Sequence, residues 1–493
     1  MHFPFLYDTI LAEKIKRKEK DKKMQLNIDK LKKKFIGSKE FYRAVLAITI
    51  PMIIQNGISN FVNLLDNIMV GSLGTEQMSG VAIVNQFTFV FILLVFGAVS
   101  GAGIFTAQYH GKGDQENVRH TFRAKLLINL IVSIIGVAVF LAFDETFIGM
   151  FLHESDSTGD LALTMECGKE YLKWIVIGLV PFAFSQAYAS TLRETGNTVI
   201  PMAASISAVV TNLILNALLI FGLWIFPELG VAGAAIATTI SRFVELAILV
   251  VYSHTHTDEC YFAKGAFKTF RIPKELIGQI AVKGLPIMAN EFLWSLSITI
   301  RNQCYATRGL DVVAAVNIAF TIINLMNVVF LSLGSSIAII VGNQLGAGKI
   351  EEAKDSAYKM LAFSAFAAAC IGVVQIAISP FFPLIYETSD NVRHLATFVI
   401  IASACAVPFN AFSHACYFTL RSGGKAAATF IFDSGYAWVL VIPAAFLLSR
   451  FTNWSFQAIF ITLLVIEAVK CIMGIIMVKQ ETWARQLFVE ENQ

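Results

Sequence analysis

Residues 81–110 read VAIVNQFTFVFILLVFGAVSGAGIFTAQYH, and no Asp, Glu, Lys or Arg stands between Glu76 and Lys112. A helix that crosses a bilayer needs about 20 mostly apolar residues, and this block is longer. It lacks the period-2 alternation of a barrel strand. A helix satisfies its own backbone donors and acceptors, which makes it the natural form in lipid. Applied along the chain, the same measure predicts about twelve spans: 41–70, 77–109, 119–143, 167–192, 198–224, 231–253, 276–305, 312–342, 355–380, 392–420, 426–449 and 454–478. The sequence therefore predicts an all-α polytopic membrane protein.

Composition agrees. Of 493 residues 56% are hydrophobic and 15% charged, with a mean hydropathy of +0.66, whereas a soluble protein carries about 25% charged residues. Soluble enzymes, DNA-binding proteins and disordered scaffolds are thereby disfavoured. The net charge is +3, but residues 1–40 hold twelve basic and six acidic side chains. That segment reads as a solvated tail near anionic lipid, and no aromatic interleaving or binding motif points to nucleic acid. No short apolar core with a small-residue cleavage site follows the basic run, so no cleavable signal peptide is expected. The seven cysteines are scattered without a CxxC pair and the eight histidines show no ligand spacing, which predicts neither a disulfide framework nor a zinc site.

The basic connections are 1–40, Lys112 to Lys125, Arg193, Lys264 to Lys283, Lys349 to Lys359 and Arg421 to Lys425. They alternate with acidic or weakly charged ones such as Asp144 to Glu170. Because Lys and Arg stay on the cytoplasmic side, both termini are expected there, in the cell membrane.

The chain also repeats itself. A shift of 235 aligns Pro51 with Pro286, Gly74 with Gly309, Val81 with Val316, and the GxGxxE of Gly111 to Glu116 with that of Gly346 to Glu351. A shift of 228 aligns Thr191-Leu192-Arg193 with Thr419-Leu420-Arg421. Six spans per copy return the chain to its starting side, so the repeat is parallel, with a cleft between the halves. The expected organisation is a basic segment 1–40, an N-lobe 41–253, a linker 254–275, a C-lobe 276–480 and a tail 481–493. Two lobes of this kind suit alternating access around a site near the midplane.

An ionisable side chain at membrane depth costs at least ~2.5–3.5 kcal/mol and marks a functional site by default. Asp66, Glu245, Glu291 and Asp433 qualify. Asp66 is either an interfacial residue or a carboxylate that binds a proton or Na+, and Asn60, Asn63 and Asn67 suggest a polar strip on its helix. Glu291 follows the helix-interior Pro286, whose missing N–H frees carbonyls for a cation or kinks the helix for structural reasons. Pro51 with Gln55 and Asn56 is the first-half counterpart, lining a polar N-lobe cleft with Asn60. Asp433 lies beside Tyr436 and Trp438 at the expected start of span 11. There it attracts lipophilic cations or complements the helix dipole. Asn212 and Asn216, four apart, share a helix face; they offer oxygens to Na+ or hydrogen bonds to Asp66, or simply join helices. Arg242 with Glu245 and Glu467 with Lys470 read as i,i+3 ion pairs, and Arg301 has no evident partner.

These residues resemble the multidrug and toxic compound extrusion (MATE) family of cation-coupled exporters from about residue 41 to 480. The likeness rests on Leu65-Asp66-Asn67-Ile68-Met69-Val70-Gly71, Gln108 to Gly113 and Thr191 to Thr198. It continues through Asn212 to Gly222, Gly230 to Thr238, Gly284-Leu285-Pro286 with Asn290-Glu291 and Trp294, Val341 to Gly348, and Asp433-Ser434. The second-half motifs look like the variant common in Gram-positive bacteria. The resemblance implies twelve helices in two six-helix lobes forming a V-shaped cleft, and export of organic cations in exchange for Na+ or H+. The family's coupling residues fall on Asp66, Asn212, Asn216 and Thr238, with Asp66 and Asn212 as possible Na+ ligands. The family usually has Asp where this chain has Asn216, so the cluster holds one carboxylate. Glu291, Asp433 and Asn290 are the C-lobe residues expected to bind substrate or to couple.

The expectation is a secondary antiporter, not an enzyme, that needs no cofactor beyond its transported ion. A lipid or lipid-linked oligosaccharide flippase is the alternative, and it would line its cleft with basic side chains. A membrane enzyme would need a catalytic constellation, and no HExxH, P-loop or Ser/His/Asp pattern is present. The expected partners are small organic cations, Na+ or H+ and the lipid bilayer, with no nucleic acid, and the chain is expected to act as a monomer.

Overall fold

A computed structural model describes residues 33–150, 160–269, 271–386 and 388–488. Among the described residues there is no strand, and twelve long helices carry the fold. The first six are α1 Lys39–Gly71, α2 Thr75–Lys112, α3 Gln115–Ala142, α4 Leu161–Glu194, α5 Val199–Ile220 and α6 Gly230–Thr255. The second six are α7 Lys274–Ala306, α8 Leu310–Gly346, α9 Ile350–Ile378, α10 Asp390–Ser422, α11 Ala426–Phe451 and α12 Phe456–Lys479. Eleven are long and apolar enough to span a bilayer. The twelfth, α7, is long enough but carries Lys283, Glu291 and Arg301.

Local chemistry sets where the helices start. Ser38, Asp114, Asp160, Ser389 and Ser455 each accept a backbone N–H at a helix N-terminus, satisfying donors that have no partner inside the helix. One helix departs from regularity. Within α11, Ile431–Gly435 and Ala437–Val441 are π-helical, so Asp433 lies inside the helix and not at its start. The dipole explanation for Asp433 therefore fails. Widened turns of this kind are found mostly at functional sites.

The paired GxGxxE motifs have a structural meaning. Gly113 and Gly348 adopt φ of +80° and +76°, a region in which a Cβ would be strained, and they turn the chain into α3 and α9. The first glycines hold α2 against α8. A Cβ on Gly111 would come within 1.9 Å of the Asn343 carbonyl oxygen, and one on Gly346 within 1.9 Å of the Gln108 carbonyl oxygen. Gln108 and Asn343 are themselves 235 apart. The contact is therefore reciprocal, as expected of surfaces related by a twofold axis.

Further contacts join the bundles α1–α6 and α7–α12 in the halves nearest the basic connections. Thr49 bonds Ser336 at 2.8 Å, Asn56 bonds Ser332 at 3.3 Å, and Gly101 crosses Gly284 backbone to backbone. A Cβ on Gly57, one residue after Asn56, would meet nothing within 4 Å. Each bundle keeps its own apolar core, built around Phe91 and Tyr171 in the first and Tyr305 and Phe460 in the second. At the basic end one core is shared: Phe122 and Phe262 pack in the same cluster as Ile280 of α7 and Leu487 after α12.

Because overpacking costs about 1–3 kcal/mol, Gly346→Ala should lower the thermal midpoint of the purified protein, with Gly113→Ala acting through turn strain instead. A Gly346→Ala variant as stable as the parent would contradict the reciprocal crossing.

Candidate functional site

In the first bundle α5 presents Asn212 and Asn216 on one face, and α6 brings Thr238 beside them. The approach of α6 depends on small residues. A Cβ on Gly233 would lie 2.5 Å from the Leu219 carbonyl oxygen, and Ala234, Ala235 and Ala237 are buried around it, as close helix pairs in lipid require. Asp66 reaches this face from α1. Asn216 donates from Nδ2 to Asp66 Oδ1 at 2.6 Å. With its amide turned so that both ends find partners, Asn212 donates to the two Asp66 oxygens at 3.0 and 2.9 Å and accepts from the Thr238 hydroxyl at 3.1 Å. Both asparagines are buried and Asp66 is half-buried.

Two features of this cluster bear on cations. The groups bonded to the Asp66 carboxylate are neutral amides; Arg242 acts on it only through space, while contacting Glu245 at 3.5 Å and lying over the Phe182 ring at 4.9 Å. The Asn216 Oδ1 oxygen is buried and meets no donor. A buried polar atom without a partner is costly and calls for an explanation. A carboxylate next to an unsatisfied amide oxygen is a set of hard oxygen donors that suits a monovalent cation or a proton.

The expected asparagine strip does not contribute. Asn60, Asn63 and Asn67 are exposed; at 100° per residue Asn60 and Asn67 lie about 100–120° from Asp66 around the helix, while Asn63 lies about 60° from it. Gln55, half-buried, and Asn60 likewise stand outside the cluster.

The second bundle is organised differently. Glu291 accepts from the Tyr417 hydroxyl at 3.1 Å. Asn290 donates to Asp433 at 3.0 Å and accepts from the Ser434 N–H and hydroxyl at 3.1 and 2.7 Å, which ties α7 to the π-helical turn of α11. Asp433 is also in ion contact with Lys470 of α12, and Glu467 with Arg301 of α7. The i,i+3 pairing expected for Glu467 and Lys470 is thus replaced by two pairs between helices, and Arg301 has the partner that its own sequence neighbourhood lacks. Asp433 consequently meets an internal ammonium group before any external cation.

The repeat makes the contrast explicit. The shift of 235 that aligns α1 with α7 sets Arg301 opposite Asp66. Laying α6 on α12 (230–255 onto 455–480) sets Glu467 opposite Arg242 and Lys470 opposite Glu245. The charges at equivalent positions are inverted between the lobes. A surface cavity of about 490 Å³ lined by Thr195, Asn197, Thr198 and Glu259 lies at the basic end, apart from both clusters.

The MatE family profile matches residues 51–218 and 286–447, one stretch in each bundle. A probable multidrug resistance protein of Bacillus subtilis, YoeA, is 22% identical over 426 residues, covering 85% of this chain and 89% of its own. A probable multidrug resistance protein of Listeria innocua, NorM, is 26% identical over 428 residues, covering 84% and 88%. The fold superposes with a TM-score of 0.79 on a multidrug resistance MATE family transporter of the MOP superfamily solved in an outward-facing conformation. That match has 19% identity and covers 89% of this chain and 94% of the other.

Removing one partner of a buried ion pair leaves the other charge unpaired and costs about 3 kcal/mol or more. Lys470→Met should therefore destabilise the purified protein, and the double variant Lys470→Met/Asp433→Asn should recover most of the loss. Equal destabilisation in the single and double variants would show that the pair does not matter as such.

Proposed function

The chain belongs to the MatE family, and from that premise we propose that it is a secondary antiporter that exports organic cations in exchange for Na+ or H+. The single observation that carries the coupling assignment is Asp66, a carboxylate at membrane depth bonded to two asparagine amides and no basic side chain. In the second bundle Asp433 and Glu467 each contact an ammonium or guanidinium group, while Glu291 accepts from the Tyr417 hydroxyl and is not flanked by an asparagine pair of the kind that holds Asp66.

The mechanism follows from that difference. An ionised carboxylate in a poorly hydrated site needs a positive guest. Na+ is held by the Asp66 carboxylate together with Asn216 Oδ1. A proton converts Asp66 into a donor, which Asn216 Oδ1 accepts once its amide turns over. An organic cation competes for the same negative charge. Each guest biases the two lobe arrangements only through its difference in affinity between them, so binding of the ion from outside favours release of the exported compound. On this reading the basic end, where the lobes are closed, is cytoplasmic, the membrane is the cell membrane, and the site faces outward. Arg301 and Lys470 end on carboxylates, which argues against the basic lining that a phosphate-bearing lipid would need.

The test is uptake of tetraphenylphosphonium into inverted vesicles under separately imposed Na+ and H+ gradients. The parent should take it up under at least one gradient, and Asp66→Asn should fall to background. Asn216→Ala should weaken the apparent affinity for the driving ion about tenfold, the value of one lost charge-assisted contact of about 1.5 kcal/mol. Glu291→Gln should keep the coupling. Uptake that survives collapse of both gradients, or coupling unchanged in Asp66→Asn, would overturn the proposal.

A further inference from the structure

The residues after α12 do not form a free tail. Glu481 contacts Lys354 of α9 at 2.8 Å. Trp483 is fully buried in the core of the second bundle and donates from its indole N–H to the Val478 carbonyl at 2.9 Å. Backbone passes close by, since a Cβ on Gly423 would come within 1.7 Å of the Trp483 carbonyl oxygen. Gln486 then donates to the Gly346 carbonyl at 3.1 Å, beside the glycine crossing that joins the lobes.

From there the segment crosses to the other bundle. Gln108, fully buried at the end of α2, spends both ends of its amide on the second bundle and its tail. Its Oε1 accepts the Leu487 N–H at 2.9 Å, and its Nε2 donates to the Ser422 and Arg485 carbonyls at 3.0 and 3.4 Å. The Phe488 ring stacks on Tyr109 with centroids 5.1 Å apart, and the Lys112 ammonium sits 4.5 Å over it. Leu487 enters the core shared by α2, α3 and α7. The equivalent stretch after α6 behaves otherwise: Arg123 of its own bundle holds it through the Ala266 and Gly265 carbonyls at 2.7 and 3.0 Å.

We propose that residues 480–488 are a latch that clamps the two lobes together at the basic end and must release from Gln108, Tyr109 and Lys112 before that end opens. The segment is anchored in one bundle by Trp483 and bound to the other by contacts that exist only while the lobes are closed there. Its hold on α2 sets the ratio of the two lobe arrangements, whatever the substrate or coupling ion.

The experiment reads the seam directly. Ser336, fully buried against Thr49 between the lobes, is replaced by Cys in the full chain, and its reaction with a small maleimide is followed by mass spectrometry at that residue. The native Cys304, buried near the far end of α7, reports global unfolding. Gln108→Ala and, independently, Phe488→Ala should each speed labelling at position 336 about fivefold or more, the ratio that one ordinary hydrogen bond carries, while Cys304 stays protected. Unchanged labelling at 336 in both variants overturns the latch, as does equal acceleration at Cys304, which would mark a structural contribution only. Neither readout uses transport, so failure of the antiporter reading and failure of the latch are distinguishable.

Discussion

The structure depends on how carboxylates are held at membrane depth, and among the described residues Asp66 and Glu291 are bonded there without a basic side chain, the first by two amides and the second by a tyrosine hydroxyl. Asp66 stands at membrane depth against two asparagine amides, where an ionised carboxylate costs at least ~2.5–3.5 kcal/mol. Elsewhere the chain meets that cost with a basic partner: Lys470 for Asp433, Arg301 for Glu467, Arg242 for Glu245 and Lys125 for Glu194. Those acids carry their counter-ions with them; under the proposed function it is Asp66, set against the neutral amides of Asn212 and Asn216, that a transported cation would meet.

A site of this kind does work only if the lobes can move around it. The reciprocal approach of Gly111 and Gly346 gives α2 and α8 a close crossing at the basic end. Buried polar bonds at the seam, such as Thr49 with Ser336 and Gln108 with Leu487, are strong while dry and exchange for water when the seam opens.

Much of this was legible in the sequence because its signals are local or periodic. Apolar blocks of about 20 residues mark spans, a constant offset marks the repeat, and the i,i+4 spacing of Asn212 and Asn216 puts both on one helix face. The resemblance to the family pointed to Asp66 and Thr238 as their companions, and the structure brings the four together. What escaped depends on partners distant in the chain. Glu467 and Lys470 look like an i,i+3 pair, yet each finds a better-placed group on another helix, and no local pattern announces that exchange. The asparagines at 60, 63 and 67 are exposed and make no bond to the Asp66 cluster. The segment after α12 is too short to form a span, so its docking was not legible as one; Trp483, Leu487 and Phe488, apolar residues next to a helix end, were the available hints.

The central claim is that Asp66 accepts one positive guest at a time. The most direct measurement is the number of Na+ ions and protons released when tetraphenylphosphonium binds the purified protein, obtained by titration across buffers of differing ionisation enthalpy and Na+ content. The account predicts release of one monovalent cation per organic cation bound, with affinity falling as the competing ion is raised. Binding of equal affinity at every Na+ concentration and pH, with no ion released, would contradict it.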